Sequence, residues 1–250
     1  SCLVGSEMCI RDRLWAGVQW FGLKKGVAAV NQCHVGAFLN SAPTTPHPDI
    51  QFHFFPVFFD KNWIPAPTTY GYRIGVGPMR PTSRGTVRLR SAKVSDPLRI
   101  DPNYMATEED WRVMREAMRL GLAFAEQPAL KRFNHREDTP GVQVRGGKAM
   151  DDFIREDAAS AYHPCGTCRM GDANDALAVV DSQLRVRGVD MLRVIDASVF
   201  PSVPSANINA ATIMLAEKAS DLLLGKPALP REALPYHSQC ALPTLHKASA

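Results

Sequence analysis

Ile50–Phe59 reads IQFHFFPVFF, opening on alternating apolar and polar positions and rich in aromatics, a pattern that predicts a strand packed on one face. Tyr70–Gly77 predicts a second strand. Gly85–Ser91 (GTVRLRS) predicts a third, half-buried and antiparallel, because Val87 and Leu89 alternate with Arg88 and Arg90. The period then changes. Thr107 followed by Glu108, Glu109 and Asp110 is a helix N-cap with acids set against the positive end of the dipole. Trp111, Met114, Met118, Leu122 and Ala125 recur at helical spacing, and Pro128 is expected to stop the run. Lys148–Ala159 predicts a shorter helix, Leu192–Ile195 a short apolar strand, and Asn209–Leu224 a last helix ended by Gly225 and Pro227. Leu14–Pro48, punctuated by Gly and Pro, reads as irregular apart from a short strand at Val35–Leu39. Strands come first and helices follow without βαβ alternation, which predicts an α+β fold.

Composition narrows the function classes. Over 250 residues, 45% hydrophobic and 22% charged side chains exclude a disordered chain. No apolar run approaches the ~18 residues of a membrane-spanning helix. A net charge of +4 without a basic run gives no footprint for nucleic acid. Ser1–Arg13 (SCLVGSEMCIRDR) has no signal-peptide pattern and resembles a translated transposase-type sequencing adapter, so it is set aside from fold reasoning. The reading frame is then expected to begin upstream, making this chain a C-terminal fragment. Setting the segment aside removes Cys2 and Cys9 and leaves Cys33, Cys165, Cys168 and Cys240. These suit a reducing compartment, and the protein is expected in the cytoplasm or peripherally at a membrane.

Three segments could carry chemistry. In Tyr162–Gly171 (YHPCGTCRMG), Cys165 and Cys168 form a C-x-x-C, which would be a redox pair at a helix start. With Pro164 it is also half of a zinc-deaminase signature, whose other half is matched by His135-Arg136-Glu137. The turn sequence Asp138-Thr139-Pro140-Gly141 breaks the regular element that such a His and Glu require, so small buried hydrophobes are the preferred reading of both cysteines. In Val180–Pro201, Asp196 follows the short apolar strand. It is either an acid close to a ligand at a sheet edge or a turn acid capping a loop. In Ser205–Thr212 (SANINAAT), Asn and Ser side chains before a helix read as caps, and the helix N-terminus itself can stabilise negative charge.

Together these segments resemble the C-terminal half of the glucose–methanol–choline (GMC) family of flavin oxidoreductases. The motifs that carry the resemblance are His163-Pro-Cys-Gly-Thr-Cys-Arg-Met-Gly171, Leu192-Arg-Val-Ile-Asp-Ala-Ser-Val199 and Asn207-Ile-Asn-Ala-Ala-Thr-Ile-Met-Leu-Ala-Glu-Lys218. Arg80-Pro-Thr-Ser-Arg-Gly-Thr-Val87 and Asp101-Pro-Asn-Tyr104 add to it, and Ala228-Leu-Pro-Arg231 resembles the choline-oxidising branch. The resemblance implies a mostly antiparallel substrate domain at residues 50–160 and a return into an FAD-binding α/β domain at 161–225. Residues 14–49 would be a partial lead-in and 226–250 a tail. It implies FAD as cofactor and oxidation of a primary alcohol, choline to betaine aldehyde, by proton abstraction and hydride transfer to flavin N5. His163 would be the base and Asn209 its partner at the alcohol oxygen, while Asp196, Ala197, Asn209, Ala210 and Thr212 would line the flavin. Trp63, Tyr70, Tyr72 and Tyr162 are candidates for holding a quaternary ammonium. A degenerate, non-catalytic binding module is a third reading. Nothing matches the family's G-x-G-x-x-G pyrophosphate turn, Gly75-Val-Gly77 being followed by Arg80. The purified chain is therefore expected to bind FAD weakly or not at all; a tight 1:1 titration with a flavin absorbance shift would contradict this.

Overall fold

The computed structural model describes residues 10–26, 29, 33, 35–59, 71–205, 207–230 and 232. Strands β1 (Val35–Leu39), β2 (Ile50–Phe55) and β3 (Arg73–Pro78) form an antiparallel sheet in that order. Phe52 stands opposite Ala37 on one side and Val76 on the other. Successive strand residues point to opposite faces. Ile50 and Phe52 are thus buried together with Val113 and Ala117 of helix α2 (Glu108–Ala125). Gln51 and His53 lie on the opposite face. Each fully buried side chain of this size contributes about 1.5–3 kcal/mol relative to exposure.

Helix α2 is apolar on two sides, which is why it sits between layers. Val113, Ala117 and Leu120 meet the sheet, while Trp111, Met114, Met118 and Leu122 pack on Val144, Met150 and Ile154. The last two belong to helix α4 (Gly147–Asp157). The Thr107 N-cap is as expected, its hydroxyl accepting from Asp110 N at 3.3 Å. Asp110 itself is only 2% exposed and anchors the Arg80–Val87 motif. Its carboxylate accepts from Thr82 N (2.7 Å), Thr82 Oγ1 (2.9 Å), Ser83 N (3.0 Å) and the Ser83 hydroxyl. Burial pushes this carboxyl up, but those donors together outweigh burial and hold it below the ordinary aspartate range. Gly85 is required at the next bend, because a Cβ there would collide with the backbone oxygens of Asp101 and Pro102. Asn103 closes the bend by donating to Arg84 O at 2.9 Å.

The C-terminal part packs around Val180, Leu184, Val199, Leu215 and Ala219. Helix α5 (Asn209–Leu223) supplies the last two, and Gly225 follows it at φ +65°, the left-handed position expected after its C-cap. The His163–Gly171 segment is tied to a single 3-10 turn, Ala197–Val199: Cys168 N donates to Ser198 O (2.9 Å) and Met170 N to Val199 O (2.8 Å).

The α+β class holds, with antiparallel sheets and flanking helices, but several local expectations are corrected. Helix α1 (Ile10–Leu23) replaces the irregular reading and takes in Ile10–Arg13. Leu14, Trp15, Val18, Phe21 and Leu23 spread round it, so no amphipathic period was visible, and all five are exposed. β4 (Thr86–Arg88) is antiparallel to β5 (Arg99–Asp101), but the pair is exposed rather than half-buried, with Val87 at 45% and Leu89 at 78%. β2 ends at Phe55, before Pro56, which has no N–H for the ladder. α2 ends at Ala125, and Pro128 opens a short helix, α3 (Pro128–Lys131), instead of stopping the longer one. Leu192–Ile195 is not a strand; one isolated bridge joins Arg193 to Arg185, and Val194 and Ile195 are apolar because they pack on the C-terminal core.

Candidate active site

Three distant segments meet on the sheet face turned away from α2. Gln51 and His53 come from β2, His163 from the loop after α4, and Asn207 from the approach to α5. Asn207 Nδ2 lies 2.6 Å from His163 Nε2, and Gln51 Nε2 donates to Asn207 Oδ1 at 3.0 Å. His53 is half-buried beside them, its ring centroid 6.1 Å from that of Phe55. Burial first, and the charge of His163 second, push the His53 imidazole down, favouring its neutral form at pH 7. Two imidazoles and two carboxamides thus gather in one polar cluster, a set suited to accepting one proton while orienting a hydroxyl.

The residue brought to His163 is Asn207, not Asn209. Asn209 sits two positions later, exposed in the first turn of α5. Nor does an Asn or Ser side chain cap that helix. Its N-cap is Ile208, without a side-chain cap, while Thr212 Oγ1 turns back to Ile208 O at 2.8 Å. Its amino end is therefore left to other acceptors. Asp196 is engaged locally, accepting from Ser198 N at 2.8 Å as the N-cap of the 3-10 turn, which answers its turn-acid reading; Ala197 is half-buried and Ala210 exposed. Gln51, His53 and Asn207 were not anticipated as site residues. The alternation in IQFHFF already puts Gln51 and His53 on one face, and that signal could have found them.

The zinc reading fails on its own residues. Glu137 is held by Arg145 through contacts of 2.5 and 3.1 Å, and His135 is exposed. Among the described residues, no three His, Cys, Asp or Glu side chains are grouped to hold a metal ion. Cys165 and Cys168 are free thiols in a loop, not at a helix start, and burial pushes the Cys165 thiol up despite the opposing charge of Arg84, away from a reactive thiolate. Of the aromatic candidates, Tyr72 is committed elsewhere, donating to Asn134 Oδ1 at 2.7 Å with its ring 5.2 Å from Phe54. Tyr162 is 87% exposed next to His163, and Trp63 and Tyr70 lie outside the described residues.

Residues 81–216 match the GMC oxidoreductase family model. The chain belongs to the GMC oxidoreductase family. Curated relatives include the oxygen-dependent choline dehydrogenase of Chromohalobacter salexigens, 42% identical over 88% of this chain and 39% of the relative. The mitochondrial choline dehydrogenase of Homo sapiens is 44% identical over 91% of the chain and 38% of the relative. The chain thus spans about two fifths of the length of the curated relatives it matches. Among solved structures, pyridoxine 4-oxidase from Mesorbium loti superposes with a TM-score of 0.72 at 30% identity, covering 80% of this chain and 39% of that one. A formate oxidase of Aspergillus oryzae gives a TM-score of 0.74 at 24% identity over 86% of this chain and 42% of its own, a likeness of fold. Among the described residues of this GMC chain, no helix is long and apolar enough to cross a membrane.

Proposed function

We propose that this chain carries the substrate end of an FAD-dependent alcohol oxidoreductase, with His163 and Asn207 at the reacting hydroxyl. The observation that carries the reading is the 2.6 Å contact between His163 Nε2 and Asn207 Nδ2 at the foot of an α5 amino end without a side-chain cap. Oxidising a primary alcohol removes a proton from oxygen and a hydride from the adjacent carbon. A hydroxyl that displaces this contact would accept from Asn207 Nδ2 and donate to His163 Nε2, so the His takes the O–H proton as carbonyl character develops. FAD, when bound, supplies the hydride acceptor. The residues present fit it: Asn209, Ala210 and Thr212 would offer the first turn of α5 to the flavin's electron-rich end, where a helix amino terminus stabilises negative charge. Asp196 and Ala197 would meet it with backbone and small side chains, since the Asp196 carboxylate already caps its own turn.

Choline is the substrate favoured by the identities to choline dehydrogenases, and Tyr162 is the described aromatic free to face a quaternary ammonium. A cation–π contact contributes about 0.5–2 kcal/mol, or roughly two- to thirty-fold. In the complete protein, kcat/KM for choline is therefore expected to exceed that for its uncharged carbon isostere, 3,3-dimethylbutan-1-ol, by that margin. Equal values for the two alcohols would remove choline and leave a general alcohol oxidoreductase.

A further inference from the structure

We propose that Gln51 is a positioning residue that sets, through the Asn207 amide, which nitrogen of His163 is left unprotonated. The inference rests on the function proposed above and adds to it a residue that touches neither substrate nor cofactor in that scheme. A carboxamide has one accepting and one donating end, and the Gln51–Asn207 contact uses the accepting end: Gln51 Nε2 donates to Asn207 Oδ1 at 3.0 Å. The donating end then faces His163, 2.6 Å from Nε2. A nitrogen that receives an N–H cannot carry its own proton, so the neutral ring holds its proton on Nδ1 and keeps the Nε2 lone pair turned to the Asn207 amide. Gln51 reaches this position because it alternates with Ile50 and Phe52, whose burial against α2 pins the strand face. The titratable group facing His163 from the strand that carries Gln51 is His53, whose own imidazole is pushed down by burial and by His163; Gln51 and Asn207 are uncharged.

The test reads the tautomer directly, by ¹⁵N NMR of the histidine rings in the full chain, at a pH where the His163 ring is neutral. His163→Gln identifies its signals among the 7 histidines. The unaltered chain is expected to show the Nδ1–H form. In Gln51→Glu a carboxylate can only accept, so it takes the Asn207 N–H, turns the amide over and presents Oδ1 to His163. The population should invert to the Nε2–H form. Added to Asn207→Ala, the same change should have no such effect, because the relay is gone. Gln51→Leu, which lets the amide turn freely, should give a mixture and serves if Gln51→Glu does not fold. An unchanged tautomer in Gln51→Glu and Gln51→Leu overturns the proposal. So does an inversion that persists without Asn207, since the charge would then act through space. Failure of the complete protein to oxidise any alcohol would instead overturn the proposed function, leaving the tautomer result to stand by itself.

Discussion

His163→Ala in the complete protein is expected to lower kcat/KM for the alcohol by about 10²–10⁴-fold, the usual contribution of a positioned general base. Its imidazole stands 2.6 Å from Asn207 Nδ2, and alanine leaves the hydroxyl proton no protein base at that position. The loss should shrink as pH rises and hydroxide substitutes for the missing base, which a fault in folding would not mimic. Asn207→Ala should also cost activity, more than Asn209→Ala, because only the first of the two asparagines is placed against the imidazole. Steady-state kinetics across pH checks all three. A loss of only a few-fold for His163→Ala would return the site to a non-catalytic binding role. A larger loss for Asn209→Ala than for Asn207→Ala would mean that the alcohol sits further along α5.

The second large effect is on stability. Asp110→Ala removes one carboxylate that satisfies two backbone N–H groups and two hydroxyls from Thr82 and Ser83, at a position 2% exposed. Stranding buried donors costs about 1–3 kcal/mol each when no water reaches them, and local relaxation keeps the total near 2–4 kcal/mol. For a chain of this size that corresponds to a fall in Tm of roughly 5–15 °C, measurable by calorimetry. The sign with pH follows from the depressed carboxyl. Its stabilisation is fully present above the unfolded aspartate pKa of about 3.9 and is lost as pH falls through the lower folded value. Asp110→Ala should therefore differ most from the parent at neutral pH and converge on it in acid. Glu116→Ala, which breaks an exposed ion pair with Arg119, is the control and should change stability by less than about 0.5 kcal/mol. Equal effects of the two changes would show that the Asp110 network does not anchor the Arg80–Val87 motif.

Much of the fold was legible along the chain, for identifiable reasons. β1 and the N-terminus of α2 fall where the pattern puts them, because a short apolar run and a Thr cap followed by three acids are local signals that tertiary contacts reinforce. The exposed β4–β5 pair and the missing strand at Leu192–Ile195 show the limit of alternation and apolarity, which report that a side chain seeks cover and not which surface provides it. α1 escaped because residues apolar on every side have no helical period.

The motif around His163 and the family were determined by the sequence alone, since long ordered patterns survive without coordinates. The choice between Asn207 and Asn209 was not. Two asparagines two positions apart differ in nothing but where the chain turns into α5, and that turn decides which amide meets the imidazole. Gln51 and His53 likewise joined the candidate site only when the sheet packed on α2 and its other face met Asn207 and, through it, His163. A hydrogen bond spanning 156 residues is written in no local pattern, because it exists only after separate cores have fixed the distance between its ends.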